Sequence, residues 1–214
     1  MIKLRMSVFS ETWPHEFSNP PTTAHGHHAI WVQSGAIELG ASVFGDNEGF
    51  YIESTNFTSC FTETAQIVRF TVDEDNGTAP TSPYGKLLLS SPLNVQEKHG
   101  ILRLDRVTFP AGVTAYRHTH AGVGIRYLTR GSLQVIADDH SKTIAAGQAW
   151  FEDAYSPVKA VAAPEGVTEF IRVMVLPNKF VGKPTIKFLN PEDEAKPKLQ
   201  ANYRYFDQPL DFSV

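Results

Sequence analysis

The sequence predicts an all-β protein, and three observations predict it. Short runs rich in β-branched and aromatic residues recur along the chain, clusters of turn formers separate them, and no segment sustains a helical period over three turns. The runs fall at Ala29 to Val32, Ile67 to Val72, Ile101 to Phe109, Gly124 to Leu128, Leu133 to Ala137 and Phe170 to Leu176. Between them lie Gly45-Asp-Asn, Asp75-Asn-Gly, Ala137-Asp-Asp-His140 and Ala163-Pro-Glu-Gly, whose residues favour tight reversals. An all-β sandwich or barrel accounts for this spacing.

Composition narrows the classes of function. The 214 residues suffice for one large β domain or two small ones, and 42% hydrophobic with 20% charged residues is ordinary for a globular chain. A formal net charge of -4 provides no basic surface for nucleic acid. The N-terminal segment reaches Glu11 and Trp13-Pro14 before any apolar run long enough for a signal peptide or membrane span, so a cytoplasmic protein without a membrane partner is expected. Cys60 stands alone, which excludes an intrachain disulfide framework. Asn56-Phe-Thr and Asn76-Gly-Thr match the glycosylation acceptor pattern, but without an export signal they read as chance.

A weak internal repeat divides the chain. Superposing His28-Ala-Ile-Trp-Val-Gln-Ser-Gly35-Ala-Ile-Glu-Leu39 on Gly124-Ile-Arg-Tyr-Leu-Thr-Arg-Gly131-Ser-Leu-Gln-Val135 matches Trp31 with Tyr127, Gly35 with Gly131 and Ile37 with Leu133. Ile67-Val-Arg-Phe then falls near Phe170-Ile-Arg-Val. Two tandem copies follow: an N-terminal half over 1–76 with part of 77–99, a C-terminal barrel over 100–176, and an extension over 177–214. The Gly, Thr, Ser and Pro of Gly77 to Pro83 read as the join. The extension ends in Tyr203-Arg-Tyr-Phe and is expected to pack on a barrel or a partner subunit.

The segment Gly112-Val-Thr-Ala-Tyr-Arg-His118-Thr-His120, followed by Gly131, carries the most chemistry. Side chains two apart on a strand share a face, so His118 and His120 can converge on one point, as a metal would require. This segment resembles the first motif of the cupin superfamily, in which a metal-binding Glu lies between the second His and the glycine. Gly147 with Trp150-Phe-Glu-Asp-Ala-Tyr-Ser-Pro-Val158 resembles the second motif, which holds the last metal-binding His. The resemblance, strongest over residues 100 to 176, implies a bicupin of the RmlC-like or quercetinase-like kind: two double-stranded β-helix, jelly-roll barrels, and a homodimer.

The departures from that pattern are specific. The family's spacings put Gly124 at the Glu position and Val158 at the last His position, and neither can bind a metal. In the first copy His28 occupies the Glu position, while Thr22 and Ala24 fall where the paired histidines would be. Strand alternation from Gly124 points Arg126 and Leu128 inward, and places Tyr116, His118 and His120 on one face. A buried guanidinium needs a carboxylate from protein or ligand, and Glu152 is the available acid. It can pair with Arg126, complete a site with His118 and His120 for a divalent metal (Fe, Mn, Zn or Ni), or act as an acid or base.

The expected ligand pocket is therefore Tyr116, His118, His120, Arg126, Glu152 and Trp150, with Phe151 as core or pocket wall. Two functions follow. One is a barrel binding an anionic or polar small molecule, with metal-dependent oxygenase or isomerase chemistry if His118, His120 and Glu152 hold a metal. The other is a metal-free binding or sensor module. In the N-terminal half His25, His27 and His28 offer a second cluster, whose alternative is an exposed polar loop. There is no Gly-x-Ser-x-Gly elbow and no phosphate-cradling glycine loop.

Overall fold

The computed structural model describes residues 1–15, 26–53 and 59–212, so the expectations placed on Thr22, Ala24, His25 and Asn56 lie outside the described residues. The chain divides into two compact units, residues 1–98 with 212 and residues 99–211. Both are built from antiparallel strands, and every run expected to be a strand lies within one apart from its last residue at Ala137.

The first unit comprises β1 (Ile2–Pro14), β2 (His27–Ser34), β3 (Ile37–Leu39), β4 (Ser42–Phe44), β5 (Gly49–Glu53), β6 (Ser59–Cys60), β7 (Thr64–Glu74) and β8 (Gly85–Val95). Its larger sheet has the order β5-β2-β7-β1-β8, and the smaller β4-β3-β6. The apolar core draws Trp13, Ile30 and Ile67 from the first sheet and Ile37 and Cys60 from the second. Cys60 is buried and free, and burial pushes its thiol pKa up. It packs in the apolar core.

The second unit comprises β9 (His99–Phe109), β10 (Thr114–His120), β11 (Val123–Arg130), β12 (Ser132–Ile136), β13 (Ser141–Ala145), β14 (Ala149–Glu152), β15 (Val158–Ala162) and β16 (Thr168–Pro177). A 3-10 turn at Asn178–Phe180, β17 (Ile186–Phe188), α1 (Pro191–Ala195) and β18 (Ala201–Asp211) complete it. One sheet runs β14-β11-β16-β9-β18 and the other β13-β12-β15-β10-β17. Leu128, Phe170 and Trp150 from one and Leu133, Val158 and Ala160 from the other form a common core. The helix, which no periodicity announced, is a single turn: Pro191 opens it and Glu192, Asp193 and Glu194 suit its N-terminal dipole.

The repeat is written in the hydrogen-bond register. Trp31 pairs with Val68 and Tyr127 with Ile171; His28 pairs with Thr71 and Gly124 with Met174. The order β5-β2-β7-β1-β8 thus maps strand for strand onto β14-β11-β16-β9-β18. Gly35 and Gly131 both have positive φ, 90° and 78°, directly after a register shift in β2 and β11. An added Cβ would lie 2.7 Å from Thr64 O at the first and from Thr168 Oγ1 at the second. Glycine is required twice for the same turn.

Candidate ligand site in the second barrel

The extension supplies edges to the barrel. β17 adds to β10, pairing His118 with Phe188, and β18 adds to β9 along its length. Across the sheet, one rung of opposed residues then reads Trp150, Arg126, Arg172, Asp105 and Arg204. On one side lies the rung Glu152, Gly124, Met174, Arg103 and Asp207; on the other, Leu128, Phe170, Val107 and Asn202. Charged rungs at one end and an apolar rung at the other give the barrel interior two chemistries.

Opposed arginines repel unless each finds a counter-ion. Arg172 donates from Nε and Nη2 to the two carboxylate oxygens of Asp105 at 2.9 and 2.7 Å, a bidentate pair in which both side chains are buried. Burial works most strongly against its charge, but the carboxylates of Asp105 and Glu152 together raise the Arg172 pKa. Arg126, 1% exposed, contacts Glu152 Oε2 through Nη2 at 2.8 Å and donates from Nη1 to Gly124 O at 2.6 Å. The Nη2 contact is close but lacks hydrogen-bond alignment. Burial lowers the Arg126 pKa to about 10 despite Glu152, so the group stays charged at neutral pH. The other Glu152 oxygen accepts from Trp150 Nε1 at 2.8 Å. Glu152 is therefore committed to Arg126 and Trp150.

The two histidines are committed to each other. His118 Nδ1 lies 2.6 Å from Tyr116 O, which only accepts, so that nitrogen carries the proton and Nε2 the lone pair. His120 Nε2 lies 3.1 Å from it and 3.3 Å from Arg172 Nη1, which only donates, and His120 Nδ1 lies 3.3 Å from the Thr185 hydroxyl. Burial holds both imidazoles below the ordinary histidine pKa, and Arg172, whose Nη1 lies 3.3 Å from His120 Nε2, adds to the effect on His120.

These residues do not fit a resident metal. Among the described residues no three of His, Cys, Asp and Glu converge as a metal requires, so the expected His118, His120 and Glu152 set is not assembled. His118 Nε2 faces His120 Nε2 at 3.1 Å, a guanidinium stands beside His120, and Glu152 is held by Arg126. At Gly124 a Cβ would come within 2.2 Å of the Val173 carbonyl oxygen, so β16 leaves no room for any side chain there. Val158 lies opposite His118 across β10 and β15, buried and apolar.

A cavity of about 250 Å³ occupies the space between the sheets. Phe109, Leu133, Trp150 and Phe170 are among its apolar walls, and His118, His120, Arg126, Glu152 and Arg172 face it at the charged end. Of the expected pocket residues, Tyr116 is the exception. A register shift between Ala115 and His118 interrupts alternation on β10, so Ala115 lines the cavity with the histidines. Tyr116 instead lies under Lys196 Nζ, 4.9 Å from the ring centroid.

The sequence reading missed Asp105, Arg172, Thr185 and Arg204. A signal existed: in Ile101 to Phe109, Arg103 and Asp105 stand on the same alternating face as Val107 and Phe109.

The first unit carries a related cluster. Arg69, equivalent in register to Arg172, donates from Nε and Nη2 to Glu11 at 3.0 and 2.6 Å, while Trp13 Nε1 donates to Glu11 at 2.8 Å. Phe9 lies under the Arg69 guanidinium, 4.3 Å from Cζ to the ring centroid. His28 is fully buried with Nδ1 3.4 Å from Arg69 Nη1, and its Nε2 has no hydrogen-bond partner. Burial, then Arg69, pulls its pKa to about 3. His27 is on the opposite face of β2, bonded through Nδ1 to Tyr51 OH at 2.7 Å, so His27 and His28 do not converge.

Neither a protein-family model nor a curated protein matches the chain. Solved structures do. Protein Ylba from E. coli matches at 15% identity over 79% of this chain and 76% of that one, with a TM-score of 0.51. A conserved protein of unknown function from Pseudomonas aeruginosa PAO1 matches at 12% identity over 81% and 79%, with a TM-score of 0.50. An RmlC-like cupin from Shewanella frigidimarina NCIMB 400 matches at 24% identity, but over 35% of this chain and 66% of that one, just under two thirds of its length, with a TM-score of 0.32. Among the described residues no helix is long and apolar enough to cross a membrane. With the paired sheets and repeated register, the two likenesses with TM-scores of 0.50 and 0.51 show the fold: two tandem jelly-roll barrels of the cupin kind in one polypeptide.

Proposed function

We propose that the second barrel binds a small amphipathic molecule with a polar or anionic head, and that it does so without a metal. The observation that carries this reading is the division of the cavity: hydrophobic walls at one end, and at the other a buried Arg126 whose Nη2 lacks an aligned acceptor. Such a site matches a ligand with an apolar body and a hydrogen-bond-accepting head. The histidine pair touches the charged rung where Arg172 Nη1 lies 3.3 Å from His120 Nε2. Of the two functions expected from sequence, this is the binding or sensor module.

The test is elemental analysis of protein purified without nickel resin. Substoichiometric iron, manganese, zinc and nickel is the expected result. Near-stoichiometric metal that disappears in a His118→Ala, His120→Ala variant would overturn the metal-free reading and favour oxygenase or isomerase chemistry. The homodimer expected by resemblance predicts twice the 23.7 kDa chain mass by light scattering.

A further inference from the structure

β18 brings a second set of polar groups to the cavity. Gln200, just before the strand, and Asn202 and Arg204 within it, spaced two apart, all line the cavity. Asn202 pairs with Val107 and Arg204 with Asp105, which places them on the inner rungs already described. A register shift between Arg204 and Phe206 then keeps Asp207 beside Arg103. Buried atoms here remain unpartnered: Gln200 Oε1 and Arg204 Nε make no hydrogen bond.

The four arginines at this end differ in how fully they are used. Arg103 is saturated, donating to both oxygens of Asp207 and to the carbonyls of Lys183 and Phe180. Arg172 has Asp105 to itself, and Arg126 has Glu152. Arg204 has only a 3.4 Å share of Asp207, already taken by Arg103, and a 3.4 Å contact to Lys183 O. Four guanidinium groups, Arg103, Arg126, Arg172 and Arg204, thus face three carboxylates, Asp105, Glu152 and Asp207. With His118 and His120 neutral, one positive charge is left over, and it belongs to Arg204.

We propose that Gln200, Asn202 and Arg204 form the ligand-reading wall of the second barrel, and that Arg204 selects a monocarboxylate whose apolar body lies against Phe109, Trp150 and Phe170. A carboxylate accepts from the free guanidinium edge of Arg204, and one negative charge neutralises the cavity. A hydroxyl or amide N–H on the ligand would satisfy Gln200 Oε1. This rests on the proposed cavity function and extends it to charge and to the residue that reads it.

The experiment compares benzoate with benzamide, and isobutyrate with isobutyramide, by calorimetric titration of the full chain. Wild type is expected to prefer each acid over its amide by about tenfold or more. Arg204→Gln is expected to bring that preference near unity by weakening acid binding far more than amide binding, and Arg204→Lys to restore part of it. Thermal melting of each variant shows that it is folded. A preference that persists in Arg204→Gln, or equal binding of acid and amide to wild type, overturns the assignment of Arg204 and leaves the cavity reading standing. Absence of binding by all four probes, with no effect of the cavity-filling Val158→Trp on melting in their presence, overturns both.

Discussion

At the scale of single residues, the Arg126–Glu152 pair sets the character of the site. Glu152→Gln would leave a guanidinium 1% exposed without its counter-charge, at an expected cost of about 3–5 kcal/mol in chemical denaturation. Replacing both partners by Met should recover most of that loss, because an apolar pair avoids the desolvation that the ions incur. Equal destabilisation of the single and double variants would show that the pair is not what holds β11 and β14 in place. Arg126 and Glu152 were legible in the sequence because alternation from Gly124 fixed the direction of Arg126, and Trp150-x-Glu152 repeated the same two-residue step. Arg172 and Asp105 were harder to read because each lies in a run whose apolar residues dominate both faces.

At the scale of elements, close approach and bulges decide what can be present. β16 passes so near β11 that even Gly124→Ala is expected to cost about 1–3 kcal/mol, read as a lowered denaturation midpoint. Restoring an acid by Gly124→Glu should therefore yield an unstable protein with no gain in zinc affinity. Val158→His, by contrast, puts an imidazole opposite His118 in an open cavity and is expected to acquire zinc in competition with a chromogenic chelator. No zinc binding by that variant would mean that Arg172 alone suffices to repel a cation there. The irregularity in β10 explains why Tyr116 was misplaced by sequence reasoning: strict alternation has no way to announce an inserted residue. Turn glycines were better signposts, since the need for positive φ at Gly35 and Gly131 is local. The inward role of β18 depends on long-range pairing with β9, and composition identified only that its aromatic end would dock.

At the scale of the whole molecule, three neutral buried histidines make stability depend on acid. His28, His118 and His120 all have folded-state pKa values below 6.5, chiefly through burial. Above pH 6.5 both folded and unfolded forms are neutral there and nothing is lost. As pH falls, the unfolded chain takes up protons first, so each site removes up to about 1.4 kcal/mol per pH unit until its folded-state value is reached. For His28 that window runs from 6.5 to about 3. Denaturation midpoints measured from pH 7 to pH 4.5 should fall steadily, and His28→Gln should flatten the slope for the first unit; an unchanged slope would contradict the burial of His28 as a neutral group. The tandem architecture itself was legible because both copies keep one glycine turn and one strand order. What blurred it was charge, placed differently in each copy.

The buried arginine on the central strand of each large sheet shows how that difference arises. Arg69 and Arg172 occupy equivalent places, yet Phe9 sits where Asp105 would be, and the acid appears two residues further along the same strand as Glu11. The counter-ion has moved by one side-chain repeat, with a longer acid spanning the gap and an aromatic ring filling the vacated place. A position-by-position alignment scores that exchange as two unrelated mismatches, although the electrostatic circuit is intact. The two copies in this chain are better matched by that ion pair on the central strand than by identity at any one position.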